Sequence, residues 1–303
     1  MFRRRIRVLV RLVVAFLILF GAATESCAQV RKACGNGLTL KLSAAAAAQG
    51  SLLLGEVVGP MGLTGMKADF NGREIPLWSE GEKAATLHGL IGVDLETKPG
   101  KYEWKVSWQD AKGMAVSCSA DVSVRAGKFL TEHLKVEKQF VEPNPEQEKR
   151  AADDQKKMKA IYDTVTPERL WQGKFRIPLN GVTTGGNFGR RRVLNGQSRS
   201  PHAGVDFPAA SGTPVFAAQA GKVVLAEGLY YSGNTVVIDH GYGIYTMYAH
   251  LSEIEVHAGD AVKLSDEIGK VGATGRVTGP HLHWGLTVDH ARVNALNIAQ
   301  REP

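Results

Sequence analysis

The chain has 303 residues, enough for about two domains at ~100–200 residues each. A hydrophobic share of 44% with 22% charged residues excludes a mainly disordered chain, and 34 glycines with only 7% aromatics favour turn-rich β structure over helical bundles. The formal charge of +7 is largely a local effect of the first residues.

Arg3, Arg4, Arg5, Arg7 and Arg11 precede an apolar run from Leu12 to Ala23, and Ser26-Cys27-Ala28 follows before Gln29. A basic stretch, an apolar core and a small-x-small site have the form of a secretory signal, so residues 1–28 are expected to direct export and to be removed. Removal leaves 32 basic against 29 acidic residues, a charge of +3, and the expected partners then exclude nucleic acid. Two rivals stay open for this segment. Lipidation at Cys27 is one, against which Glu25 and Ser26 argue. Retention as an anchor, with transient membrane association, is the other; against it, 12 apolar residues fall short of the ~20 that span a bilayer. No other long apolar run exists, which excludes a polytopic membrane protein.

Export leaves Cys34 and Cys118 as an even pair in an oxidising compartment, so a disulfide between them is expected, with two buried thiols as the alternative. Residues 29–128 read as an immunoglobulin-like β-sandwich. Leu38–Leu42, Tyr102–Trp108 and Ala115–Val122 alternate apolar and polar residues, and Asn71-Gly72 and Lys98-Pro99-Gly100 supply turns. The run Ala44–Ala48 reads as a loop or a helical turn. Residues 129–172 form a linker whose core, Glu146–Thr164, is a solvated helix ending near Pro167. Its Glu146–Arg150 and Asp153–Lys157 pairs and a thin stripe of Met158, Ile161, Tyr162 and Val165 lie at helical spacing. From Trp171 the pattern is β again: Thr235–Asp239, a glycine-rich turn, Ile244–Leu251, then short strands within Val256–Val271 and at Leu282–Val288.

The chemistry concentrates in this last part. His202 and Asp206 lie four apart in a segment that Gly204 and Pro208 keep extended, so both side chains share a face, as do His281 and His283 with Leu282 turned inward. His250 ends the strand Ile244–Leu251, on the face of Tyr248. Two His and one carboxylate are a donor set that suits Zn2+ and leaves a position for water. Either pattern alone is weak; with a third His and glycine-rich turns the conjunction is far stronger.

These residues resemble the M23 (lysostaphin/LytM-type) zinc metallopeptidases. The match runs through His202–Asp206, Tyr248-Ala249-His250 and Gly279-Pro280-His281-Leu282-His283. It extends to Asn187-Phe188-Gly189, Asp206-Phe207-Pro208, Asp239-His240-Gly241 and Thr274-Gly275-Arg276, over about residues 173–295. The resemblance implies a mainly β fold with an antiparallel β-sheet peptidase domain over 173–303, zinc held by His202, Asp206 and His283, and His250 and His281 as the catalytic pair. It implies an exported, periplasmic or secreted zinc endopeptidase that cuts peptide cross-links of peptidoglycan through a zinc-activated water. A non-catalytic wall-binding or amidase-activating protein on the same fold is the alternative, and a peptidase acting on proteins is a third reading. The front part is expected either to position the enzyme or to shield its cleft. Some members carry a Tyr shortly before the first zinc His as an oxyanion donor. None occurs in Arg190–Pro201, so the two histidines or Asn195 are expected to serve. Ser265 stands where a turn glycine is usual. His88, His133, His257 and His290 read as surface residues, His240 as structural, and Arg190-Arg191-Arg192 as a solvated loop ahead of a polymer contact.

Overall fold

A computed structural model describes residues 29–60, 65–79, 85–110 and 112–299. The signal segment expected over 1–28 lies outside the described residues. Among those described, no helix is long and apolar enough to cross a membrane.

The front part builds ten strands: β1 (Val30–Gly35), β2 (Leu38–Leu42), β3 (Ala46–Ala48), β4 (Leu52–Val58), β5 (Lys67–Phe70), β6 (Arg73–Ile75), β7 (Trp78–Ser79), β8 (Thr86–Gly92), β9 (Gly100–Gln109) and β10 (Ala115–Arg125). They form two sheets, β1-β2-β4-β8-β7 and β3-β10-β9-β5-β6. Alternation turns Leu38, Leu40 and Leu42 of one sheet towards Phe70, Trp104, Val106 and Val122 of the other, all nearly or fully excluded from water. Asn71 and Gly72, both at positive φ, close the β5–β6 hairpin. Cys34 and Cys118 are disulfide-bonded, with Cα atoms 5.7 Å apart, tying β1 to β10 across the sandwich. The alanine run departs from the expected loop or helical turn: Ala46–Ala48 is strand β3, paired in parallel with β10. Alanine has little intrinsic strand preference, and the neighbouring edge of β10 decides its conformation.

The connecting region begins with β11 (Thr131–Leu134) and continues to helix α1 (Pro145–Tyr162). Asn144 caps α1 by accepting from the Gln147 backbone while the Gln147 side chain accepts from the Asn144 backbone, and Pro145 opens the first turn. The helix ends at Tyr162, several residues before Pro167. Its thin stripe is real but not solvated: Met158, Ile161 and Tyr162 pack on Leu225, Leu229, Val237 and Tyr245, whereas Val165 stays exposed. The expected pairs Glu146–Arg150 and Asp153–Lys157 do not form. Asp153 pairs with Lys149, Lys157 reaches Glu227, and Arg150 donates to the Gly228 carbonyl. Docking on the sheet draws these side chains off the helix surface.

The remaining strands are β12 (Arg191–Leu194), β13 (Gln197–Ser198), β14 (Gly204–Pro208), β15 (Pro214–Phe216), β16 (Gly221–Leu229), β17 (Gly233–Asp239), β18 (Ile244–Ile254), β19 (Ala261–Val262), β20 (Glu267–Val271), β21 (His281–Val288) and β22 (Ala291–Val293), followed by the short α2 (Leu296–Ala299). β12 pairs in parallel with β11 and antiparallel with β13, so the expected arginine loop is a strand. A nine-stranded sheet carries the rest along β14-β21-β18-β17-β16-β19, with β20 on β18 and β22 on β21. Ser265 adopts φ +73° and makes the turn before β20. The front sandwich is seated on this sheet: Trp78 packs edge-on against Trp171 at 5.4 Å, and Arg292 grips Asp94 with two side-chain hydrogen bonds of 2.8 and 3.0 Å.

Candidate metal centre and catalytic cleft

β14 and β21 lie side by side with Asp206 opposite His283 and Pro208 opposite His281. Along β14, Val205 and Phe207 are buried in the core, so Asp206 faces the other way; along β21, Leu282 and Trp284 do the same and leave His281 and His283 on Asp206's side. Gly204 has a specific role here. A Cβ at that position would lie 2.5 Å from the His283 ring, so glycine leaves the space that the imidazole occupies beside Asp206.

His202, just before β14, completes the cluster. Its Nε2 is 2.8 Å from His283 Nδ1, and each of these nitrogens is 3.0 Å from Asp206 Oδ1. His202 Nδ1 donates to the Asn187 carbonyl at 2.9 Å, which leaves Nε2 without a proton, and burial holds the ring neutral with a pKa near 4. Burial alone would raise the Asp206 carboxyl, but the imidazoles of His202 and His283 beside it prevail and hold it well below the usual carboxylate range. Three electron-pair donors thus converge on one point with too few protons to bridge them, a geometry that a bound cation satisfies. Two imidazole nitrogens and one carboxylate oxygen are the donors zinc takes in sites that keep a position open.

Asn187, which no sequence pattern assigns a role, supports this cluster. It adopts φ +72°, accepts from His202 through its carbonyl and donates from Nδ2 to Asp206 Oδ2 at 3.2 Å, so it orients two of the three donors at once. Arg192 stands 3.6 Å from the same oxygen. It does not extend into solvent: Glu132 of β11 holds it at 3.0 Å and Arg190 at 3.1 Å, whereas Arg191 is exposed.

His250 and His281 lie together on the open side, ring centroids 4.9 Å apart. His281 Nδ1 donates to the Gly279 carbonyl and His250 Nδ1 to the Thr274 carbonyl, both at 2.8 Å, so each Nε2 is free to accept a proton. Burial pushes His250 down to about 3. Its placement corrects the expected face-sharing with Tyr248, and the strand runs on to Ile254 rather than ending here. Tyr248 and Leu251, three apart, both enter the core, which regular alternation forbids. The β17–β18 register slips at this point and His250 takes φ +63°, a bulge that swings its ring out towards His281 and His283. Asn195 is not an oxyanion donor, because its side chain bonds both the N–H and the carbonyl of Val136. His240 is structural: fully buried, it donates to the Ala220 carbonyl, meets Thr246 at 2.7 Å and stays neutral with a pKa near 4. Of the other histidines, His133, His257 and His290 are exposed and His88 is half-buried beside Trp78.

The cleft over these groups holds about 260 Å³ between Glu132, Leu134 and Val136 on one side and Arg276–His281 on the other. β11 from the connecting region is therefore one wall of the cleft.

The family model of peptidase family M23 matches residues 200–295. The chain is 47% identical over 111 residues to the peptidoglycan DD-endopeptidase ShyA of Vibrio cholerae, a match covering 36% of this chain and 26% of that one. It is 40% identical over 133 residues to the DD-carboxypeptidase/endopeptidase Mpg of Neisseria meningitidis, covering 44% of this chain and 31% of that one. The matches thus span about a quarter to a third of these relatives. A solved structure from Pseudomonas aeruginosa, described as a candidate M23 peptidase, superposes with a TM-score of 0.62 at 28% identity, over 83% of this chain and 94% of that one. The family match and the superposition agree that residues 200–295 form a peptidase family M23 domain.

Proposed function

We propose that the chain is an exported zinc endopeptidase that hydrolyses peptide cross-links of peptidoglycan, acting in the periplasm or outside the cell. The observation that carries this reading is the convergence of His202 Nε2, Asp206 Oδ1 and His283 Nδ1 beside two further histidines whose Nδ1 atoms are engaged by backbone carbonyls. His202, Asp206 and His283 would hold zinc, which when bound acidifies water and polarises the scissile carbonyl. His250 and His281 then serve proton transfer: one takes the proton of the attacking water, and an imidazolium steadies the developing oxyanion or protonates the leaving amine. Asn187 keeps His202 and Asp206 in place during this work. The substrate assignment is supported by the names of the relatives, and export by the form of residues 1–28 and the Cys34–Cys118 bond. In the proposed layout, residues 29–128 are the sandwich, 129–172 the linker and 173–303 the peptidase domain.

The test is digestion of purified cross-linked peptidoglycan by the zinc-supplied protein, with products read by mass spectrometry. Cross-linked dimers should decline with a matching rise in monomers and new amine termini, and a chelator should stop the reaction. Intact dimers after incubation with zinc would refute the assignment.

A further inference from the structure

Arg276 stands beside the site, in the segment 272–280 that also supplies the carbonyls orienting His250 and His281. Its backbone N–H donates to the Tyr231 carbonyl at 2.8 Å, and its guanidinium lies over the Tyr231 ring, 4.4 Å from the centroid. The position is built, not incidental. Gly275 and Gly233, both at positive φ, pack backbone against backbone, and a Cβ on Gly275 would come within 2.4 Å of Gly233 N. Closing the two loops in this way holds Arg276 over the mouth of the cleft. It lines the cavity shared by Asp206, His250 and His281, and equally the adjoining one shared by His202, His250 and His283.

The electrostatics around it are unbalanced. Among the described residues Arg276 has no carboxylate partner and no side-chain hydrogen bond. Burial, with the nearby charges of Arg192 and Arg199, holds its pKa below the usual arginine value. Arg192 is already held by Glu132, and Arg199 by the Val141 carbonyl and Gln197. A half-buried guanidinium with its fork unused, at the edge of a reaction cleft, leaves five N–H donors for an anionic group of the substrate.

We propose that Arg276 is a specificity-determining residue that binds a free carboxylate on the peptide substrate, next to the scissile bond. The inference rests on the peptidoglycan reading and sharpens it. In a cross-link made through the side-chain amine of diaminopimelate, the carbon bearing the leaving nitrogen also carries a carboxylate, so a guanidinium at the cleft edge takes it as a bidentate partner. A site that expects such a charge rejects the amide, because the guanidinium is then left unpaired. This ties the cleft to anionic cross-links rather than to neutral glycine-type bridges.

The experiment compares two soluble cross-linked muropeptide dimers, identical except that the carboxylate beside the cross-link amide is free in one and amidated in the other. With the zinc-loaded full chain, kcat/KM should be at least about tenfold higher for the free acid. Arg276→Gln should lose that factor on the acid and cut both dimers at similar rates, with thermal unfolding unchanged, while Arg276→Lys should recover part of the preference. Equal rates for the two dimers with the unaltered protein, or a preserved preference in Arg276→Gln, would overturn the proposal. Binding of both dimers to the zinc-loaded His281→Ala chain, measured by calorimetry, separates this inference from the reading beneath it. If neither dimer is cut, the peptidoglycan reading fails. A tighter Kd for the acid that disappears on adding Arg276→Gln then still supports the arginine subsite, and equal Kd values sink it.

Discussion

The front sandwich and the catalytic sheet are built from the same element and treat buried polar groups in opposite ways. Among the described residues of the sandwich, Thr97 is the single buried polar residue, and the core is Leu, Ile, Val, Ala, Phe and Trp. The sheet that follows buries His202, Asp206, Gln219, Asp239, His240, Thr246, His250 and Asp289. Desolvating such groups costs several kcal/mol each unless a partner is supplied. Partners are supplied almost throughout: carbonyls for three imidazoles, Asn187 for Asp206, the Thr246 hydroxyl for His240 and the Tyr248 hydroxyl for Thr246. At His202, Asp206 and His250 this burial organises the cleft, whereas at Gln219, Asp239 and His240 it ties loops and strands together.

That contrast can be broken at four positions. The largest effect is expected at His250→Ala, which should lower kcat on cross-linked peptidoglycan by about 10²–10⁴-fold with little change in thermal unfolding. Unimpaired turnover would place proton transfer elsewhere. Trp104→Ala should do the reverse, costing about 3–5 kcal/mol of stability by opening a cavity between the two front sheets while leaving turnover unaffected wherever the protein stays folded. A comparable loss of kcat would mean the sandwich core and the site are mechanically coupled.

His240 tests the cost of polar burial through pH. Its folded pKa near 4 lies below the ordinary 6.5, so as pH falls the unfolded chain takes up this proton first. The contribution is complete above pH 6.5 and is lost as pH falls towards 4, a swing of about 3 kcal/mol. Unfolding curves of His240→Gln and the unaltered protein should therefore converge across that window, and curves that stay parallel would contradict the buried neutral imidazole. The smallest effect is expected at Gly204→Ala. Its Cβ would displace the His283 ring, weakening zinc binding by about 10–100-fold without unfolding the sheet. Unchanged affinity would show that the ring does not need the space.

Much of the site is legible in the residues themselves. Strand alternation is enough to put His202 with Asp206 and His281 with His283, because Val205, Phe207, Leu282 and Trp284 claim the inner face between them. The long strands of both halves are legible for the same reason. What escapes is whatever another part of the chain decides. β3 is a strand because β10 lies beside it, and the ion pairs of α1 are set by Glu227 and Gly228 on the sheet it covers. The bulge that swings His250 out of register depends on Ser232, whose carbonyl accepts from the His250 N–H at 2.9 Å. Asn195, free in sequence, is spent on Val136, and the tasks of Asn187 and Arg276 become visible only when distant carbonyls and rings surround them.

The division of five residues into three zinc donors and two proton carriers is the centre of this account, and His281→Ala tests it in one comparison. Zinc content and peptidoglycan hydrolysis are measured on the same preparation of the full chain. The variant should hold one zinc per chain as tightly as the unaltered protein and release no new amine termini. Loss of the metal would make His281 a donor, and hydrolysis at the unaltered rate would remove it from the reaction; either result contradicts the assignment.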